Sequence, residues 1–150
     1  KSCVVYILVV DDDLFANALV QFVLSKEGFE VEMLDNPRGA MQMIEKREPD
    51  LLILDATMPY IDGFTLSAKV RAEGYETPII FMTAKDSIED KVQGFTIGAD
   101  DYICKPYNHQ ELVARVQAVM RRIMKNGKTE NPCIRGGQFE LLPAELRERG

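Results

Sequence analysis

A chain of 150 residues with 46% hydrophobic and 28% charged side chains has the balance of one ordinary globular domain with a short appendage, not of a disordered segment. Its net charge of −6 speaks against nucleic-acid binding by the bulk of the chain, and no apolar run approaches the roughly 20 residues of a membrane-spanning helix. Three widely spaced cysteines, no CxxC and a single histidine argue against a disulfide framework and a Cys/His zinc site. That cysteine usage fits a reducing cytoplasm, and Lys1-Ser2-Cys3-Val4 leads straight into a strand without the design of a signal peptide.

Val4 to Val10 is a continuous apolar strand (β1) ending in Asp11-Asp12-Asp13. The spacing then predicts a helix from about Leu14 to Glu27, with Phe15, Leu19, Phe22 and Val23 on its apolar stripe and Gly28 as its stop. Phe29 to Leu34 alternates apolar with acidic residues, as a half-buried edge strand does (β2). Asn36-Pro37 opens a second helix that runs to about Lys46, with Pro49 closing the connection. Leu51 to Leu54 is aliphatic throughout, so it reads as a strand buried on both faces (β3) that stops at Asp55. A third helix is expected over about Phe64 to Glu73 and a fourth apolar strand at Pro78 to Met82 (β4), leading into Thr83-Ala84. Asp86 or Ser87 caps a fourth helix ending at Gly98. Tyr102 to Cys104 is a short strand (β5) before Lys105-Pro106, and Asn108 starts a long last helix whose stripe is Leu112, Val116, Val119, Met120 and Ile123. Strand and helix alternating five times, without an internal repeat, predict an α/β fold: a parallel five-stranded sheet with helices on both faces.

In such a sheet all carboxyl ends lie on one edge, where open α/β folds place their chemistry. Asp11 and Asp12 from β1, Asp55 from β3, Thr83 from β4 and Lys105 from β5 should therefore converge, although the chain keeps them far apart. Taken singly, each is an ordinary strand-end residue; it is the joint pattern that points to a site. Carboxylates brought together repel, and a cation removes that conflict. Oxygen-only ligands without His or Cys suit a hard ion such as magnesium, which completes its shell with water and phosphate. A lysine and a hydroxyl opposite are suited to hold phosphate oxygens.

Val9-Val10-Asp11-Asp12-Asp13, Asp55-Ala56-Thr57-Met58-Pro59 with Asp62-Gly63, Met82-Thr83-Ala84, Gly98-Ala99-Asp100-Asp101-Tyr102 and Lys105-Pro106 together resemble the receiver domain of two-component response regulators. The resemblance covers about residues 4 to 124. It implies a doubly wound flavodoxin/CheY-like sheet of order 2-1-3-4-5. It also implies that Asp55 accepts a phosphoryl group from a sensor histidine kinase. Mg2+ would be bound by Asp12 directly, by Asp11 through water, by the Asp55 carboxylate and by the main-chain carbonyl of Thr57. Lys105 would pair with one phosphoryl oxygen, Thr83 would move to bind another, and Tyr102 would turn inward into the vacated space. Self-phosphorylation and its reversal on Asp55 would be the only chemistry, so the chain is read as a switch and not an enzyme. Asp13 and Cys104 depart from the family pattern without removing a ligand. Two rival classes fit less well. A dinucleotide-binding domain needs a Gly-rich turn where this chain has three Asp, and a haloacid-dehalogenase-type phosphatase needs an Asp where it has Thr57.

Residues 1–124 are thus expected to form the receiver, with 125–150 a linker and the possible start of a truncated effector. The Gly137-Gln138-Phe139-Glu140-Leu141-Leu142-Pro143 segment resembles, weakly, the first strand of the winged-helix effector in OmpR/PhoB-type transcription regulators. DNA would then be contacted only through that effector, and no membrane partner is expected; a stand-alone receiver or an enzymatic output domain remain the alternatives. The same resemblance implies a homodimer on phosphorylation through the fourth helix, fifth strand and fifth helix. Lys91 would face Glu111, Asp101 would face Arg115 and Asp100 would face Arg122, each pair used twice by two-fold symmetry.

Overall fold

Strands Tyr6–Val10 (β1), Glu30–Leu34 (β2), Leu51–Asp55 (β3), Ile79–Ala84 (β4) and Asp101–Lys105 (β5) form one all-parallel sheet of order β2-β1-β3-β4-β5. The structure, a computed structural model, describes residues 4–56, 62–84 and 99–126. The expected fourth helix and the expected strand of the C-terminal segment lie outside the described residues. Strand bounds differ from the sequence reading by one or two residues, as ends set by hydrogen bonding commonly do.

Two apolar layers hold the sheet, one on each face. Val9, Ile53, Met82 and Ile103 point into the layer beneath α1 (Leu14–Ser25) and the last helix (His109–Asn126). Leu8, Val10, Leu54, Phe81 and Tyr102 point into the layer beneath α2 (Ala40–Lys46) and α3 (Gly63–Ala72). This alternation explains why β1 and β3 had to be apolar at every position: successive residues serve opposite layers. The expected stripe of the last helix is buried throughout, from Leu112 to Ile123. Asn108 starts that helix as expected, its side-chain oxygen accepting from the Gln110 amide at 2.6 Å.

α1 differs from the sequence reading. Of the expected stripe Phe15, Leu19, Phe22 and Val23, Val23 is buried and Leu19 packs half-buried against the same core, whereas Phe15 is 79% and Phe22 62% exposed. The buried face is Asn17, Val20, Val23 and Leu24. Residues 17, 20 and 24 also recur at helical spacing, so the helix carries two possible stripes. The choice is made at its entry, where the Asp13 carboxylate accepts from the Phe15 and Ala16 amides and Asn17 bonds the end of β1. The Lys26 ammonium lies 5.1 Å from the centroid of the exposed Phe22 ring.

The second helix begins with a 3-10 turn, Pro37–Gly39, in which Asn36 caps the Arg38 amide at 2.9 Å before α2 proper. β2 is the edge strand, as its alternation predicts. Its acidic side chains find local partners: Glu30 takes the Arg47 guanidinium bidentately at 2.7 and 2.8 Å, and Glu32 accepts the Tyr6 hydroxyl at 2.6 Å. The Arg47 hydrogen bonds hold the Glu30 carboxyl below the usual carboxylate range.

Candidate functional site

The carboxyl ends of β1, β3 and β5 bring Asp11, Asp12, Asp55 and Lys105 together, as the topology predicts. Asp11 is fully buried and Asp55 nearly so, whereas Asp12 is exposed. One carboxylate oxygen from each of the three lies within 4.8 Å of the others. Lys105 donates to Asp11 Oδ2 at 3.1 Å and to Asp55 Oδ2 at 3.3 Å. Burial alone would lower the lysine pKa, but Asp55 and Asp11 outweigh it and hold the ammonium above its ordinary value. One lysine balances only part of three negative charges, so the cluster favours a further cation. The donor set fits a hard divalent ion: oxygen atoms alone, from an exposed carboxylate beside two buried ones. Thr57, expected to offer a carbonyl to the same ion, lies outside the described residues.

The third acid, Asp13, has a different task. It caps α1, and its own amide donates to Asp11 Oδ1 at 2.9 Å. α3 approaches from the other side. Asp62 caps it through the Thr65 amide at 2.7 Å, and the Gly63 amide donates to the Ala56 carbonyl at 3.1 Å. A Cβ on Gly63 would stand 2.2 Å from the Asp55 carbonyl oxygen, so only glycine lets the helix begin this close to the strand end.

Thr83 is 1% exposed, and its hydroxyl faces the Cys104 sulfur at 4.0 Å, a weak partner. Tyr102 stands inward, with its ring stacked on Phe81 at 5.7 Å between centroids. Strand periodicity divides the rim. Asp11, Asp55 and Lys105 continue the rows of Val9, Ile53 and Ile103, on the side of α1 and the last helix. Thr83 and Cys104 continue the rows of Phe81 and Tyr102, on the opposite side. The Lys105–Pro106 peptide is cis.

The charged residues expected at a dimer face have partners within the chain. Arg115 bonds Asp101 at 2.9 Å and Glu111 at 3.0 Å. Arg122 donates to the Asp100 carbonyl at 3.0 Å, while the Asp100 carboxylate accepts from the Ile79 amide. Lys91 lies outside the described residues. Sequence reasoning passed over Asn17, because the expected stripe on α1 was drawn through Phe15 and Phe22. It quoted Gly63 only as part of a motif, without the close approach that requires it.

Comparison with known proteins agrees with this geometry. The sequence profile of the response regulator receiver domain matches residues 7–117. The transcriptional regulatory protein PcoR of Escherichia coli is 39% identical over 123 residues, 82% of this chain and 54% of that protein. The transcriptional regulatory protein RprY of Bacteroides fragilis is 39% identical over 133 residues, 89% of this chain and 56% of that protein. The chain thus spans about half the length of these curated relatives, whose names accord with the OmpR/PhoB-type resemblance. The crystal structure of chemotaxis protein CheY4 from Vibrio cholerae superposes with a TM-score of 0.74 at 32% identity, covering 77% of this chain and 98% of that one. The receiver domain of Francisella response regulator 1452 gives 0.73 at 32% identity, covering 78% and 97%. With the sheet order, the acid-and-lysine rim and these matches in agreement, the chain belongs to the response regulator receiver domain family.

Proposed function

We propose that the chain is a phosphorylation-dependent switch in the cytoplasm that takes a phosphoryl group from a sensor histidine kinase onto Asp55. One observation carries the reading: the Asp55 carboxylate sits at the sheet rim between two further carboxylates and the Lys105 ammonium, 3.3 Å away. An Asp55 oxygen would attack phosphorus as the phosphorus–nitrogen bond of a phosphohistidine breaks. The imidazole leaves and an acyl phosphate remains. Such transfer depends on positioning and charge neutralisation more than on covalent work by the protein. Asp11, Asp12, Asp55 and the Thr57 carbonyl would hold Mg2+, which neutralises charge on the transferred group. Lys105, already between Asp11 and Asp55, would turn part of its charge to a phosphoryl oxygen. Among the described residues Thr83 leaves a weak sulfur contact to reach another, so little there opposes its movement. Tyr102 already stands inward, and in this reading phosphorylation stabilises that arrangement rather than creating it.

Incubation with a small phosphodonor and magnesium should add the mass of one phosphoryl group to the intact chain; no gain at any donor concentration would sink the reading. Asp12→Ala should raise the magnesium concentration needed for half-maximal labelling by about tenfold or more, since it removes a ligand. An unchanged requirement would take Asp12 out of the cation site.

The output is read as transcriptional, in line with the names of the relatives. Residues 1–124 then form the receiver, and residues 125–150 the linker and the opening of an effector domain that would make any DNA contact. Phosphorylation would pair two receivers through the face carrying Asp100, Asp101, Glu111, Arg115 and Arg122, together with Lys91. Since Arg115 already holds Asp101 and Glu111 within one chain, dimerisation exchanges ion pairs for similar ones. Exposed pairs contribute about 0–1 kcal/mol each, so they set register, and apolar contact must supply the rest. Sedimentation should show a dimer with beryllofluoride, weakened by salt and by Arg115→Ala. A parent that stays monomeric with the mimic at high concentration would overturn this pairing.

A further inference from the structure

We propose that Asn17 is a positioning residue for the cation site: its buried carboxamide fixes the Asp11–Asp12 peptide and so the place of the Asp12 carboxylate. The inference rests on the proposed binding of a divalent ion by Asp11, Asp12 and Asp55. Asn17 is 1% exposed, and its neighbours on the buried face of α1 are Val20, Val23 and Leu24. An amide in such a stripe is unfavourable unless its polar atoms are bonded. Its Nδ2 donates to the Asp11 carbonyl at 2.7 Å and, over a longer 3.4 Å, to the Leu34 carbonyl. Leu34 also accepts from the Asp11 amide at 3.1 Å, so one side chain ties together the carboxyl ends of β1 and β2. The reverse orientation would set two oxygens face to face, so the chemistry fixes which amide atom points at Asp11.

The Asn17 Oδ1 is buried without a hydrogen-bond partner. A leucine of similar volume would fill this place without stranding an acceptor, so what the site keeps is the donor. The carbonyl it holds belongs to the peptide that leads into Asp12. Asp11 has its own side-chain restraints, the Asp13 amide and Lys105. Among the described residues no hydrogen bond or ion pair fixes the Asp12 carboxylate, so the backbone alone places it. Asn17 holds that backbone on the Asp11 side of Asp12, and the Asp13 amide, bonded to Asp11 Oδ1, closes the turn on the other.

The test is a magnesium titration of the full 150-residue chain followed by nitrogen–proton NMR, on the parent, Asn17→Leu and Asn17→Asp. The side-chain NH2 pair of Asn17, assigned by its absence from the variants, should shift in the parent with the same midpoint as the Asp12 backbone amide. Both variants should move that midpoint up by about tenfold, the usual size of an outer-shell effect. At saturating magnesium their labelling by a small phosphodonor should return close to the parental rate. A folded variant with the parental midpoint overturns the proposal, because a merely structural role would lower stability and leave magnesium affinity alone. If neither variant folds, the parent decides: an Asn17 side-chain signal indifferent to magnesium overturns it. A parent that binds no magnesium overturns the cation reading and this inference together, whereas equal binding by parent and variant overturns this inference alone.

Discussion

Asp55→Asn should abolish labelling by small phosphodonors, a loss of a hundredfold or more, while the fold persists. The amide keeps the shape of the side chain but offers no anionic oxygen to phosphorus, and acyl phosphate formation requires one. The expected effect on stability has two opposing parts. Three carboxylates within 4.8 Å face one lysine, so removing a negative charge relieves repulsion in magnesium-free buffer, although Lys105 loses a partner. These opposing terms should leave the variant cooperatively folded. Intact-mass measurement and thermal melting on the same samples would check both halves. Labelling of the Asn variant at the parental rate would move the acceptor elsewhere.

Gly63→Ala should be damaging: among the described glycines it is the one whose added methyl group would overlap backbone atoms. Its Cβ would meet the Asp55 carbonyl oxygen at 2.2 Å, the Asp55 carbonyl carbon at 3.0 Å and the Ala56 Cα at 3.1 Å. All three are backbone atoms, so no side chain can swing aside. Either α3 rises off the sheet and strains the Gly63–Ala56 hydrogen bond, or the end of β3 moves and carries Asp55 with it. Overpacking of this kind costs about 2–3 kcal/mol. Denaturant unfolding should show that loss, and the folded fraction should be labelled more slowly than the parent. Parental stability together with a parental labelling rate would mean that α3 yields without disturbing the acceptor.

The sheet was legible because its signal was simple. Strands apolar at every position can lie only between two covered faces, and Leu51–Leu54 is buried on both as expected. The rim followed from topology, which brings Asp11, Asp12, Asp55 and Lys105 together wherever a parallel sheet forms. α1 was harder. Phe15 and Phe22 are its largest apolar residues, and hydrophobicity alone assigns them to the core. The structure instead buries the stripe containing a polar residue, because Asn17 satisfies backbone groups at the strand ends. Residue-by-residue hydrophobicity cannot register that a hydrogen bond 2.7 Å long, not a larger side chain, orients a helix. The roles of Asp13 and Gly63 were hidden for a related reason: both depend on where a backbone passes, and spacing does not report it.

The division of the rim between the two faces of the sheet has a consequence for how such a protein can vary over generations. Asp11, Asp55 and Lys105 rise from the layer under α1 and the last helix, and Thr83, Cys104 and Tyr102 from the layer under α2 and α3. In the proposed reading, substitutions in the first layer bear on how quickly a phosphoryl group arrives and leaves. Those in the second bear on what its presence means to the rest of the molecule. Among the described residues the two layers form separate clusters on opposite faces of the strands, and they would meet at the phosphoryl group that Lys105 and Thr83 share in that reading. If the proposed switch holds, tempo and meaning are separable traits away from that shared rim, and a lineage could retune one while holding the other still.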